Sequence, residues 1–338
     1  MEWLDGSAVV LNPSTPLPPN ASPLAEGALR GLPAAEVGTA AGESPYGLRD
    51  RASDYRTLVK PRITRMVVIT AALGFFLAVR EGYGWTWLQL AGSLAGTALS
   101  CMAASVFNQV IERRTDALMP RTARRPLAAG RLSNTEAMGW GLGLMLAGQA
   151  ALCSLGTPLA SGLAAFTIFS YALVYTPMKR VSPTALYVGA VPGAMPPLIG
   201  YAAVTGSVFT AEAATAWAVC LIMLLWQIPH FLAIGYLYRA DYAAAGLAMH
   251  AVRDPSGGSS FRHAIAVCGL LLVAGMLPTL LGGAGWVAFG VTLICGLGYL
   301  GLAVRWAVVR EAGAARRLFF ASLIYLPVVL TAVMVDAR

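Results

Sequence analysis

Apolar residues run along this chain in windows of about twenty, the length an α-helix needs to cross the hydrocarbon core of a bilayer. The windows fall near residues 63–80, 85–111, 136–155, 158–176, 184–204, 213–236, 264–282, 286–308 and 318–335, and charged residues cluster between them. This pattern predicts an all-α integral membrane protein of about nine transmembrane helices. Residues 1–52 are rich in Pro, Gly, Ala and Ser without helical period, so a disordered N-terminal tail is expected there, followed by one polytopic membrane domain over 53–338. Glu2 and Asp5 stand where a secretory signal would carry positive charge, so insertion is expected to rely on the spans themselves.

Composition agrees with the windows. Of the 338 residues 57% are hydrophobic and only 12% charged, against roughly one-quarter charged in soluble domains. The net charge of +8 is explained by topology. With the N-terminus in the cytoplasm, Lys60, Arg62, Arg65, the Arg113–Arg131 group, Lys179, Arg180, Arg239, Arg253, Arg262, Arg305, Arg310, Arg316 and Arg317 all fall inside. Among the residues flanking the spans only Arg80 and Arg338 fall outside. The positive charge therefore gives no ground for a nucleic-acid partner. Cysteines 101, 153, 220, 268 and 295 lie singly in spans with no CxxC, and read as small packing residues.

Chemistry concentrates in residues 108–131, NQVIERRTDALMPRTARRPLAAGR, directly after the second window. Asn108, Glu112 and Asp116 recur every fourth residue, which keeps them within about 80° of one helical face over about 12 Å. Two carboxylates and an amide suit a hard cation such as Mg²⁺, which shares its coordination with phosphates and water. Pro120 is expected to end or bend this helix. Arg121, Arg124, Arg125 and Arg131 then follow in a loop suited to anions, and a metal site beside guanidinium groups reads as a diphosphate site. Taken singly, the arginines read equally well as ordinary cytoplasmic flanking charge.

Other windows carry weaker signals. Lys60 and Arg62 flank Pro61 ahead of the first span, as flanking charge or as anion ligands. Tyr175 and Lys179, four apart at the end of the fourth, either anchor that helix at the interface or hold a phosphate oxygen. The fifth span is interrupted by Pro192, Pro196 and Pro197 and is expected to line a pocket. In the sixth, His230 lies beside Gln227 and Pro229, either as a packing residue or facing a cavity. Its end carries Asp241 and Tyr242, and Asp241 is the natural acid to complete a metal site from the opposite helix. Residues 243–262 are long enough for a lid. The last three spans read as scaffold.

Six ordered motifs carry a family resemblance: LVKPRI, N-x3-E-x3-D-x4-RT-x2-RPL-x2-GR, YTPMKR, GAVPGAMPPLIGY, WQIPHF and YRADYAAAGLAM. Over residues 58–254 the chain resembles the UbiA superfamily of membrane prenyltransferases and, within it, the haem-modifying branch, the protohaem IX farnesyltransferases. The resemblance implies a UbiA-type helical bundle around a central cavity, with Mg²⁺ and diphosphate held by Asn108, Glu112 and Asp116 and, across from them, Asp241. Tyr175 and Lys179 match a tyrosine and lysine of the superfamily, and Lys60, Arg62, Arg113, Arg121, Arg125, His230 and Tyr242 are expected around the substrates. Two departures stand out: Glu112 replaces a frequent Asp, and Ala240 stands where the second motif often has another acid. The implied reaction transfers farnesyl from farnesyl diphosphate to a vinyl group of haem B, with water addition, giving haem O. Haem B would be a substrate, membrane lipid the surroundings, and the bacterial inner membrane the location. A link to haem A synthase and cytochrome oxidase assembly follows from the same resemblance. Competing readings are prenylation of an aromatic quinone precursor and, from another class, a secondary transporter.

Overall fold

The computed structural model of the protein describes residues 47–338. Most of the expected N-terminal tail therefore lies outside the described residues, and its last few positions belong to a helix, α1 (Leu48–Leu58). The chain divides into Met1–Arg51, of which only residues 47–51 are described, and Ala52–Arg338, which holds every span found among the described residues.

Nine described helices are long and apolar enough to cross a membrane. They are α2 (Pro61–Arg80), α3 (Trp87–Asp116), α4 (Asn134–Gly156), α5 (Pro158–Met178), α6 (Ala185–Thr205), α7 (Ala214–Leu237), α10 (Gly258–Leu280), α11 (Trp286–Val309) and α12 (Ala312–Val335). Two short helices, α8 (Arg239–Ala244) and α9 (His250–Arg253), lie between α7 and α10. The sequence explains where several begin. Pro61 and Pro158 open α2 and α5, where a missing N–H costs nothing. Ser133 accepts from the Glu136 N–H at 3.1 Å, three residues ahead of an acid suited to a capping box. Asp254 accepts from the Ser260 N–H at 2.8 Å and so starts α10 six residues earlier than the hydropathy window. The expected lid is correspondingly shorter and partly helical.

One expectation needs correction. Pro120 does not end the second span: α3 stops at Asp116, where Thr122 donates its hydroxyl to the Asp116 carbonyl at 2.8 Å and turns the chain. The fifth span does break as its prolines require, into Ala185–Ala194 and Pro196–Thr205. With α7 it forms the most buried part of the bundle.

Small residues let these helices meet, because lipid supplies no hydrophobic drive between them. A Cβ on Gly200 would lie 1.8 Å from the Ala71 carbonyl oxygen, and one on Gly74 would lie 1.8 Å from that of Pro197. α2 and α6 thus touch backbone to backbone. Gly96 and Gly148 do the same for α3 and α4. In the α10–α12 scaffold, Trp226 donates to the Ser322 carbonyl at 2.7 Å and fastens α7 to α12.

Candidate active site

A cavity of about 460 Å³ opens among α2, α3, α5, α6 and α7. Its inner part is apolar, with Val67, Ala104, Ile168, Ile199 and Phe231 on the walls. Its outer end is polar and lies where the basic residues gather. Leu247 and Met249 close over that end, and their segment is tied down by the Ala248 N–H, which donates to the Lys179 carbonyl at 2.8 Å.

The face predicted on α3 is present and buried. Asn108, Glu112 and Asp116 are 1%, 8% and 2% exposed and all line the cavity. Cations from other segments meet them. Lys179 donates to Glu112 at 2.8 Å, Arg125 donates to Asp116 at 2.7 Å, and Lys60 donates to the Asn108 carbonyl oxygen at 3.1 Å. The Asn108 amide in turn donates to Glu112 at 2.9 Å and to Thr176 at 3.0 Å. The structure thus joins α2, α3, the loop after α3 and the end of α5 in one charged network.

Local backbone explains how Lys60 reaches it. Lys60 adopts a left-handed conformation, φ 47° and ψ 65°, which L residues rarely take and which is held only where surroundings enforce it. Gln109 enforces it in part by donating to the Leu58 carbonyl at 2.7 Å. Burial, with the Arg125 and Lys179 charges beside it, pulls the Lys60 ammonium down to about 8, against the opposing pull of Glu112 and Asp116. At the end of α5 the wider turn Ser170–Tyr175 brings Lys179 over the Tyr175 ring, 4.5 Å from its centre. The ammonium therefore lies against the ring face. A Cβ on Gly189 would lie 2.4 Å from that ring, so glycine provides its slot. Arg121 lies 4.7 Å over the Tyr242 ring and 5.1 Å over the Tyr238 ring, and both Arg121 and Tyr242 line the cavity.

Other expected site residues are not brought to the wall. Arg62 is exposed on α2, and Arg113 turns outward to Asn134 at 3.4 Å. Arg131 grips Asp54 through two bonds of 2.9 Å, which braces the arginine loop. His230 faces α12: Ser322 gives its hydrogen to the Phe319 carbonyl, so His230 Nδ1 must donate to Ser322 Oγ, at 2.6 Å. The imidazole is stacked on Trp226 and packed against Phe319. It is not among the residues that line the cavity. Tyr242 lines the cavity while Asp241 does not, since consecutive helical residues point about 100° apart. Thr176, Gln109 and Tyr171 belong to the site and were not singled out; Thr176 and Gln109 each sit next to a residue that was.

The donors fit a hard divalent cation. Glu112, Asp116 and the Asn108 carbonyl are oxygen ligands on one buried face, the kind Mg²⁺ takes. Among the described residues no three of His, Cys, Asp and Glu stand close enough to hold a metal unaided. Such an ion would need further oxygens from a phosphate ligand and water.

Comparison with known proteins agrees with this architecture. Residues 67–324 match the UbiA prenyltransferase family. The chain is 38% identical over 291 residues to a protoheme IX farnesyltransferase of Solibacter usitatus, covering 84% of this chain and 98% of that one. A protoheme IX farnesyltransferase of Salinibacter ruber is 39% identical over 285 residues, with the same coverage of 84% and 98%. Among solved structures, a digeranylgeranylglyceryl phosphate synthase superposes with a TM-score of 0.72 at 16% identity, covering 85% of this chain and 98% of that one. A UbiA homologue from Archaeoglobus fulgidus, bound to DMAPP and Mg²⁺, gives 0.60 at 15% identity, covering 83% and 99%. The family match over most of the spans, the relatives aligned nearly end to end and the shared fold give one conclusion: the chain belongs to the UbiA prenyltransferase family.

Proposed function

We propose that this integral membrane protein transfers a farnesyl group from farnesyl diphosphate to the vinyl group of haem B, with addition of water, and releases haem O and diphosphate. The observation that carries this reading is the charged network of Lys60, Glu112, Asp116, Arg125 and Lys179 at the mouth of an apolar cavity. One end suits a diphosphate and the other an isoprenoid chain. The curated relatives, matched over 98% of their own length, carry the same activity in their names.

Asn108, Glu112 and Asp116 would hold Mg²⁺, partly through the diphosphate, and Asp241 would join them by rotation of α8. The ion supplies positive charge against the leaving group. Lys60, Lys179, Arg121 and Arg125 bind diphosphate oxygens as the C–O bond breaks and negative charge develops there. The Tyr175 ring and the apolar walls face the allylic carbon and keep water away until the vinyl group has attacked. Arg62 and Arg113, outside the cavity, fit an approach path for anionic groups, haem propionates among them. His230 supports the wall through its neighbours. The charge asymmetry supports a site on the cytoplasmic side, the bacterial sources of the relatives favour a bacterial inner membrane, and an enzyme that oxidises haem O is the natural consumer of the product.

Incubation of the purified chain with haem B and farnesyl diphosphate tests the reading, with an aromatic acid as the rival acceptor. Haem O is expected. Prenylation of the aromatic acid without haem O would overturn it in favour of the quinone branch.

Lys60 gives a pH signature. Its lowered pKa means the ammonium is present below about 8 and lost above it. The KM for farnesyl diphosphate is therefore expected to rise above pH 8, approaching about tenfold per unit where only the protonated form binds. Lys60→Arg, charged at all these pH values, should flatten the profile; an unchanged break in that variant would exclude Lys60 as its source.

A further inference from the structure

The reaction proposed above needs a water molecule that arrives late and in one place, and the cavity wall offers a group for it. Gln227, on α7, is 7% exposed and lines the cavity. Its amide is fixed in one orientation, because Nε2 donates to the Met223 carbonyl at 2.9 Å and to the Ala190 carbonyl at 3.3 Å. Oε1 is thereby turned to the other side, toward Gly193, where a Cβ would lie 2.1 Å away. Gly193 also lines the cavity, and its missing side chain is what leaves that oxygen room. No donor among the described residues reaches Oε1.

The surroundings make this acceptor conspicuous. Phe231, Ile234, Pro196 and Ile199 stand around the same stretch of wall. Gln227 lies roughly 15 Å along the helix axis from Leu237, the end of α7, and so well inside the bilayer. A fixed amide oxygen at that depth is the sort of polar group that binds a single water, which needs acceptors for its hydrogens.

We propose that Gln227 Oε1 holds and orients the water that completes haem O. This rests on the haem reading of the site. The C–O bond of farnesyl diphosphate breaks with its electron pair going to diphosphate, and the vinyl π pair forms the new C–C bond. Positive charge is left on the vinyl carbon next to the porphyrin. Two fates compete for that cation. A water lone pair forms a C–O bond and the surplus proton passes to the released diphosphate, giving the hydroxyl product; or a proton is lost from the neighbouring carbon, giving an alkene. By accepting one water hydrogen, Oε1 turns a lone pair toward the cation and favours the first. Gln227 is then the group that selects the product.

The test is the mass of the porphyrin product made by the full-length protein from haem B and farnesyl diphosphate. Gln227→Met keeps volume and removes the acceptor; Gln227→Glu keeps an acceptor. In the Met variant the ratio of alkene, lighter by one water, to hydroxyl product is expected to rise at least tenfold, while the Glu variant stays hydroxylated. If the Met variant fails to fold, Gly193→Ala, whose methyl group displaces Oε1, is expected to give the same alkene. A Met or Ala variant that makes only hydroxylated product, at whatever rate, would overturn the water site and leave the haem reading intact. A wild-type chain that forms no farnesylated porphyrin at all would overturn both.

Discussion

Glu112→Gln is expected to lower kcat for haem O formation by about a thousandfold, the cost of removing one fixed charge from a site where leaving-group charge develops. The amide keeps the shape of the carboxyl but carries no charge to answer the Lys179 ammonium, now 2.8 Å from Glu112, and holds Mg²⁺ less strongly than a carboxylate does. The same change should also destabilise the protein by about 3 kcal/mol, because it leaves Lys179 buried without its counter-charge. A double substitution separates the two effects. Glu112→Gln with Lys179→Met removes both charges, so thermal stability in detergent should recover while activity stays at least as low as in the single variant. Recovery of activity in the double variant would show that Glu112 serves only to neutralise Lys179.

The largest structural effect is expected at Gly200. Alanine there would put a methyl carbon 1.8 Å from the Ala71 carbonyl oxygen, in a place where both partners are backbone and neither side chain can step aside. α2 and α6 would have to separate, and since α2 starts directly after Lys60 and α6 carries Gly189 and Gly193, the cavity would be distorted with them. Overpacking of this kind costs typically about 1–3 kcal/mol, and a backbone clash belongs at or beyond the upper end. Gly290→Ala is the control, since nothing lies within 4 Å of a Cβ there. Measured side by side, Gly200→Ala should lose most of its folded protein in detergent and Gly290→Ala should lose none. Equal stability would mean that the α2–α6 contact is looser than its geometry.

The spans were readable because lipid imposes a simple length and composition rule on them, and the basic residues alternate independently of that rule. The α3 triad was readable because i, i+4 spacing decides a helical face whatever surrounds it. Partners were harder. Nothing in the spacing of Lys60 and Asn108 announces a bond across 48 residues, and Arg125, Arg121 and Arg131 look alike in sequence though one pairs with Asp116, one stacks on tyrosines and one clamps Asp54. His230 shows the same limit. Its sequence context leaves packing and a cavity-facing role equally open, and the face it takes depends on Ser322, 92 residues away on α12. Gln227, one helical turn earlier, took the cavity side.

The pairing of both carboxylates with cations, Glu112 with Lys179 and Asp116 with Arg125, bears on the order in which ligands arrive. A bare magnesium ion would have to part an ammonium and a guanidinium from the carboxylates they already neutralise. A diphosphate that brings its own ion offers the displaced pair new oxygens at the same moment, so each charge swaps one partner for another. Free magnesium should accordingly compete poorly for the empty enzyme, and the prenyl diphosphate complex of the metal should be the species that enters first.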